Sequence, residues 1–569
     1  MTAMKMNGAN ALLEALERQG VKEVFGILGG AILPVYDALC THPKIRHILA
    51  RHEQCAAHAA DGYARASGRP GVCFATSGPG ATNLVTGIAN AHLDSSPVIA
   101  VTGQVPIVGG KSTYMIGKDA FQEADIIGIT TPITKYNTQI SSVAEIPGTV
   151  NNCFYIATTG RPGPVLIDFP KDIQASHGMV DWDVKIDLKG YKPPGNPHPL
   201  QIRKAAEMLA EAERPIILAG GGVVSSNASD ELFTLAELLL APVATTFMGK
   251  GAFPEIHPLS VGTIGMHGNP LANKLLLEAD VMMAVGTRFS DRATGNIDTF
   301  APEAKKIHVD IDAAEIGKNI DVDIPIVADA KKALAAIYER LIQQVKKKTE
   351  STWNQRLKQG RDLLNPVGRD NNSMKPKTLL QTLRKLLPED TIVTTEVGQN
   401  QMWSALYFKA LKPRTFISSG GLGTMGFGFP ASIGAKTACP DKPVFDIAGD
   451  GSFIMTEQEL ACSVIENIPV TVIVLNNGVL GMVAQWQRMF YQKRYVATKL
   501  GTYPDFVKLA ESYGAQGLRA RSIPEFERAV QTALKSKVTT VIDVPISSEE
   551  DVVPMVPPGC GLNQQVGDY

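Results

Sequence analysis

Residues 444–477 read VFDIAGDGSFIMTEQELACSVIENIPVTVIVLNN, and the fold of the chain turns on them. The apolar run Val444–Ala448 has the character of a strand buried on both faces of a parallel sheet. The turn Gly449-Asp450-Gly451-Ser452 follows, then a helical segment with Leu460, Ala461, Val464 and Ile465 on one face. A second apolar run, Val470 to Leu475, ends in Asn476-Asn477. In a β-α-β unit Asp450 and Asn477 both fall at the carboxyl ends of parallel strands, where open α/β sheets bind ligands. Two oxygen-bearing side chains beside glycines suit a hard divalent cation that holds a diphosphate. A lone GDG is an ordinary turn; GDGS with NN closing the next strand is far more specific.

The 569 residues leave room for about three or four domains. Apolar residues make up 44% and charged residues 20%, enough for a core in each. Lys+Arg is 55 against Asp+Glu 56, so nothing in the charge calls for nucleic acid or an anionic membrane as partner. Lys346-Lys347-Lys348 reads as a solvated helix end. Seven scattered cysteines without CxxC pairs indicate neither a disulfide framework nor a zinc site, and fit a reducing compartment. The N-terminus lacks a signal-peptide core and reads as a first amphipathic helix. No apolar run approaches the ~20 residues of a membrane span. The expectation is a cytoplasmic, multidomain α/β chain.

Three blocks of alternating strand and helix signals follow one another, with doubly wound parallel sheets as the expected fold. The first, 1–175, carries strand candidates VKEVFGI, IRHILA, GVCFATS, PVIAVTG and GPVLIDFP. A Pro/Gly-rich linker at Lys192–Pro197 precedes the second, 198–345, with PIILAGG, PVATTF, VMMAVG and KKIHVDID. A polar stretch from about 346 to 376 leads to the third, 376–569, which holds TIVTTE, the 444–477 unit and TTVIDVPI. The first and third blocks are alike in pattern, as an old duplication would leave them.

Glu53 follows the strand IRHILA; taken alone it is as well read as a surface or capping glutamate. Thr76–Asn83 (TSGPGATN) is a Gly-rich strand-to-helix turn, which either cradles a phosphate or simply turns tightly. In the middle block Gly220-Gly221-Gly222, Thr246–Gly251 and Gly265-Met266-His267-Gly268, with Asp310 and Asp329 near strand ends, suggest a dinucleotide across that domain. The lone His267 has no ligand-spaced partner and reads as structural.

Taken together, Glu53, the GPGATN turn and the GDGS…NN unit resemble the thiamine-diphosphate enzymes of the pyruvate-decarboxylating group. Within that group the chain resembles acetohydroxyacid synthase (acetolactate synthase) catalytic subunits over essentially its whole length. The segments that carry the resemblance include VFGILGGAILPVYDAL (24–39), RHEQ (51–54), TSGPGATNLVTGIA (76–89), DAFQEAD (119–125), GRPGPVLIDFPKD (160–172), FMGKGAFPE (247–255) and GLGTMGFGFP (421–430). DRATGN (291–296), GMVAQWQ (481–487) and PMVPPG (554–559) separate this family from its thiamine-dependent relatives.

The resemblance implies three cofactors: thiamine diphosphate, Mg²⁺ and FAD. Asp450, Asn477 and the main-chain oxygen of Val479 would hold Mg²⁺. Thiamine diphosphate would meet Glu53, Pro79, Asn83, Val397, Gly398, Gln399, Gly423, Met425, Gly451, Ser452, Met455, Leu480, Gly481 and Met482. Met455 would wedge between its two rings, and Glu53 would bond the pyrimidine N1′, as a relay partner in removing the C2 proton. Gly30, Phe121, Gln122 and Lys135 match active-site positions. Arg292 would bind the acceptor carboxylate, and Trp486 with Met482 would favour the extra methylene of 2-ketobutyrate, worth only ~1–3 kcal/mol. FAD would contact Arg161, Gly220, Gly221, Gly222, Thr246, Met248, Gly265, His267, Arg288, Arg292, Asp310 and Asp329.

The implied reaction decarboxylates pyruvate and transfers the hydroxyethyl group to pyruvate or 2-ketobutyrate. The products are 2-acetolactate and 2-aceto-2-hydroxybutyrate, in the first common step of branched-chain amino-acid biosynthesis. Because Glu53 and Asp450 lie in different blocks yet meet one cofactor, the family pattern pairs the first domain of one subunit with the third of another. That implies a homodimer or tetramer, with a separate regulatory subunit common in the family. The chain departs from the family pattern at Leu28, Cys55, Ala57, Ser290 and Asn400, and segment 107–118 is about six residues longer than the pattern predicts. The rivals are a flavin-dependent pyruvate oxidase, a fermentative synthase without FAD and a silent paralogue. The flavin-domain motifs argue against the second, and intact Glu53, Asp450 and Asn477 against the third.

Overall fold

The computed structural model describes residues 4–107, 119–186, 188–347, 350–364, 373–502 and 504–567; the longer segment noted above lies, apart from Ile107, outside them. Three six-stranded, all-parallel sheets dominate the chain, as the alternating pattern predicts. The first has β1 (Glu23–Gly26), β2 (Arg46–Leu49), β3 (Gly71–Ala75), β4 (Val98–Gln104), β5 (Tyr136–Gln139) and β6 (Val165–Pro170), in the order β2-β1-β3-β4-β6-β5. The middle sheet has β7 (Pro215–Ala219), β8 (Val243–Thr245), β9 (Ser260–Thr263), β10 (Val281–Val285), β11 (Lys305–Asp310) and β12 (Ile324–Val327). Its order, β9-β8-β7-β10-β11-β12, is that of dinucleotide-binding sheets. The third has β13 (Ile392–Thr395), β14 (Phe416–Ser418), β15 (Val444–Gly449), β16 (Thr471–Asn476), β17 (Gln516–Arg519) and β18 (Thr540–Pro545). Its order, β14-β13-β15-β16-β18-β17, repeats the first sheet's, so the likeness read in the sequence extends to topology.

These interior strands are buried along their whole length and mostly apolar, as strands covered by helices on both faces are; β4 and β6 depart from that pattern where Thr102 and Gln104 donate to Asp168. The first and third units share one core. There helix Glu53–Ser67 crosses helix Gly428–Ala438 so closely that a Cβ on Gly62 would lie 2.1 Å from the Ala431 carbonyl oxygen.

Four local readings need correction. The N-terminal residues Met4–Asn7 are a strand paired antiparallel with His177–Val180, and the amphipathic helix begins only at Gly8, capped by the Asn7 side chain. The polar stretch after 346 contains a helix, Thr352–Leu364. Trp353 and Leu357 anchor it in the middle unit's core, where Trp353 Nε1 donates to the Pro215 carbonyl (3.0 Å). In helix Glu459–Ile465 the buried residues are Glu459, Leu460, Cys462 and Ser463, and Ile465 is 64% exposed; the apolar face read from spacing is rotated, because carboxylate and thiol groups occupy the packed side. The C-terminal segment also returns to the middle unit, where Val556 N–H donates to the Met266 carbonyl (2.8 Å). Among the described residues no helix is long and apolar enough to cross a membrane.

Candidate active site

In the third sheet β13 and β15 are neighbours with their onward connections on opposite sides, so a crevice opens beyond their carboxyl ends. Val397, Gly398 and Gln399 enter it from β13, and Asp450, Gly451 and Ser452 from β15. Asp450 opens a single helical turn, Asp450–Phe453. Burial pushes its carboxyl up to about 6, opposed by backbone bonds, one of them from Gly478 N–H to Oδ2 (2.9 Å). Asn477 stands one residue past β16; its Oδ1 accepts from Val479 N–H (3.1 Å) and its Nδ2 donates to Gln399 Oε1 (3.3 Å). Gln399 in turn donates to Gln485 Oε1 (2.9 Å). A Cβ on Gly451 would lie 2.8 Å from Leu480, so the 480–482 turn sits directly on the Asp450 turn. Met482 is half-buried there, Gly423 faces open space, Met425 is half-buried, and Met455 is 52% exposed. These residues form one cluster, oxygen donors at its base and apolar side chains at its rim.

The first sheet has the equivalent crevice between β1 and β3. Glu53 is the first residue of its helix, with His52 as cap, and is buried beside the strand ends. Its Oε2 accepts from Asn83 Nδ2 (2.9 Å), its one side-chain partner among the described residues. Gly80 lies against Oε1, where a Cβ would come within 3.2 Å. The Gly78-Pro79 turn is covered by Gln122, whose φ of 61° is rare for a residue with a side chain. Gly30 faces open space at the same edge, and Phe121 is 88% exposed. Lys135 is placed elsewhere: its ammonium donates to the Ile156 and Thr159 carbonyls (2.5 Å each) and to Tyr191 OH (2.8 Å). These bonds use all three of its donors and close the end of helix Ile146–Thr158, so its position is that of a helix cap. Burial also lowers its pKa to about 8.

A cavity of about 520 Å³ lies where the three units meet. Arg161, Gly221, Gly222, Thr246, Met248, Arg288, Arg292, Asp310 and Asp329 line it. Gly220, Gly265 and His267 stand behind the wall. A Cβ on Gly220 would lie 2.0 Å from the Gly286 carbonyl oxygen, where β7 and β10 diverge at the middle sheet's switch point. His267 is held neutral: burial, with Arg292 nearby, lowers it to about 4. Arg161 donates to Ser95 Oγ and Glu315 (2.8 Å each), and the Arg292 side chain is 60% exposed. Burial pushes Asp310 up to about 6. Among the described residues five arginines line the cavity in all, Arg65 and Arg414 among them, and guanidinium groups in that number suit a diphosphate-bearing dinucleotide. Trp486 is half-buried, edge-on to Phe490.

Two groups escaped the motif search. Glu396, at the end of β13, is fully buried and accepts from Ser452 Oγ (2.5 Å), Gly426 N–H and Phe429 N–H (2.9 Å each), tying together three of the loops around the crevice. Glu459, also buried, opens the helix that starts four residues after Met455. In both cases the signal was a glutamate where a strand end or short helix is otherwise apolar.

Three family models match the chain: the thiamine pyrophosphate enzyme N-terminal TPP binding domain over residues 6–129, the central domain over 202–337 and the C-terminal TPP binding domain over 396–544. Together they define a three-part thiamine pyrophosphate enzyme. A probable acetolactate synthase large subunit of Methanocaldococcus jannaschii is 54% identical, the match covering 99% of this chain and 95% of that protein. That of Methanococcus aeolicus is 50% identical over 98% and 94%, and the acetolactate synthase large subunit of Corynebacterium glutamicum 48% over 98% and 89%. The chain belongs to the acetolactate synthase large-subunit family.

Proposed function

We propose that the chain is the catalytic subunit of an acetohydroxyacid synthase, which decarboxylates pyruvate and joins the two-carbon unit to a second 2-ketoacid. The observation that carries this reading is a buried glutamate at one switch point and an Asp–Asn pair at another, in a chain similar end to end to acetolactate synthase large subunits. Thiamine diphosphate, when bound, supplies the electron sink for loss of CO₂. Asp450, Asn477 and the Val479 carbonyl oxygen are hard donors that fit Mg²⁺, and Gly398, Gln399, Gly451 and Ser452 fit the diphosphate beside it. Glu53 holds a proton at the cofactor pyrimidine N1′, with Asn83 fixing its carboxylate. Met455, Leu480 and Met482 would give the bound cofactor an apolar rim that excludes water, with Met455 placed to press between its rings. Gln122 and Gly30 stand at the same edge as Glu53, whereas the bonds of Lys135 support a structural role for it.

The cavity where the three units meet would hold FAD, with Arg161, Arg288 and Arg292 to pair with its diphosphate; Arg292 would also bind the acceptor carboxylate, and Trp486 would favour 2-ketobutyrate. The exposed Phe121 and Met455 support a homodimer in which each half-site is covered by the other subunit. The large-subunit name of the relatives supports a separate small subunit as partner.

The test is a product assay on pyruvate with 2-ketobutyrate, thiamine diphosphate, Mg²⁺ and FAD. The expected main product is 2-aceto-2-hydroxybutyrate, with 2-acetolactate second. Stoichiometric oxygen consumption or acceptor reduction would replace this reading with an oxidase. Glu53→Gln should abolish most turnover while cofactor still binds.

A further inference from the structure

Helix Glu459–Ile465 begins four residues after Met455 and belongs to the third unit, yet both its ends grip the first. At its start Glu459 Oε1 accepts from two consecutive backbone N–H groups, Arg51 (2.8 Å) and His52 (3.1 Å), the pair immediately before Glu53. Just past its end Glu466 Oε1 accepts from Leu49 N–H (3.3 Å), and its carbonyl from Arg46 (2.5 Å). Glu459 is 2% exposed, with Arg51 and the Cys55 and Cys462 thiols as its neighbours. One buried carboxylate oxygen that accepts two adjacent amides fixes the peptide planes through which the chain enters the Glu53 helix. Burial pushes its carboxyl up to about 7, opposed by the Arg51 and His52 amides and the Cys55 thiol, so the two backbone bonds rather than full charge define its place.

We propose that Glu459 is a positioning residue for Glu53. It sets the direction in which the Glu53 carboxylate leaves the helix end, and so ties the Met455 turn of one active site to the Glu53 that, on the two-subunit reading, serves the other. This rests on the function given to Glu53 above. Without Glu459 the 51–52 amides lose their shared acceptor and the first turn of the helix gains freedom. A misplacement of about 1 Å at a proton-relay group lowers rate far more than affinity.

The test uses the full chain with Glu459→Ala, Glu459→Gln and, as reference, Glu53→Gln. In cofactor-free protein, hydrogen–deuterium exchange at the Arg51 and His52 amides should quicken in Glu459→Ala and stay near wild type in Glu459→Gln, whose amide oxygen still accepts. With thiamine diphosphate and Mg²⁺ bound, exchange of the thiazolium C2 proton should slow on the order of tenfold or more in Glu459→Ala. Cofactor Kd and the KM for pyruvate should stay within about threefold, and Glu459→Gln should recover most of the rate. The proposal is overturned if C2 exchange keeps its wild-type rate in Glu459→Ala while Glu53→Gln slows it. It is also overturned if Kd and rate worsen in step, as a loosened metal turn would produce. Should Glu53→Gln itself leave C2 exchange unchanged, the functional reading of Glu53 fails first, and the amide exchange still reports whether Glu459 holds the turn.

Discussion

Asp168, buried on β6, accepts from Thr102 Oγ1 (2.8 Å), Gln139 Nε2 (2.8 Å) and Gln104 Nε2 (3.2 Å), yet burial outweighs these bonds and pushes its carboxyl up to about 6. A carboxyl raised in the folded state favours the fold most in its neutral form. Its contribution is complete below the unfolded pKa, about 4, and declines as pH rises through about 6. Wild type should therefore lose stability relative to Asp168→Asn between about pH 4 and pH 6.5, by up to roughly 3 kcal/mol. Paired thermal melts across that range read the difference, and a difference that is flat or opposite in sign refutes the argument. At this scale the sequence was readable wherever chemistry sat in a turn motif, as with Asp450, Asn477 and the GPGATN glycines. Lys135, Glu396 and Glu459 were not readable, because their roles come from backbone groups that approach only after folding. A lysine whose ammonium caps a helix looks, in one dimension, like any other lysine.

At the scale of elements, the crossing of helices Glu53–Ser67 and Gly428–Ala438 positions both half-sites. One helix starts at Glu53, and the other follows the 421–427 loop that carries Gly423 and Met425. Gly62 and Gly434 let the backbones touch; a Cβ on Gly434 would lie 1.8 Å from the Ala59 carbonyl oxygen. No side chain can yield there, so Gly62→Ala or Gly434→Ala must spread the helices, costing at least about 2 kcal/mol and lowering the melting temperature. Gly195→Ala, with no atom near the added carbon, is the control and should change little. Equal melting temperatures for all three would remove the crossing as a determinant. The strands of the three six-stranded sheets that sequence reading missed have a common cause. β5, β9, β12, β14 and β17 were not recognised, and each is a sheet edge. An edge strand needs no apolar covering on both sides, and YNTQ or QGLR carries no buried-strand signature. Interior strands, mostly apolar, were legible. So most strands of each sheet's centre could be read before its borders, while their order came only with the fold.

Over the whole molecule, the proposed function makes the two switch-point clusters halves of one chemistry. Glu53's carboxylate bonds only Asn83 among the described residues, and no hydrogen bond joins it to the 449–455 turn of its own chain. Helix Glu459–Ile465 instead holds the first unit by its backbone, through Glu459 to the Arg51 and His52 amides. Phe121 and Met455 project outward at the open sides. If each cofactor lies between the first unit of one subunit and the third of another, two inactive variants must complement. Glu53→Gln and Asp450→Ala chains should each be inactive alone. In a dimer containing one of each, one site carries both substitutions and the other carries neither. Random reassortment makes half the dimers mixed, so co-refolded or co-expressed variants should recover about a quarter of wild-type activity. Recovery should need subunit exchange and disappear when the separately assembled dimers are mixed and assayed at once. If Glu53 and Asp450 instead served one cofactor within a single chain, every mixed dimer would hold two defective sites. No mixture would then recover activity, and the two-subunit site would have to be given up.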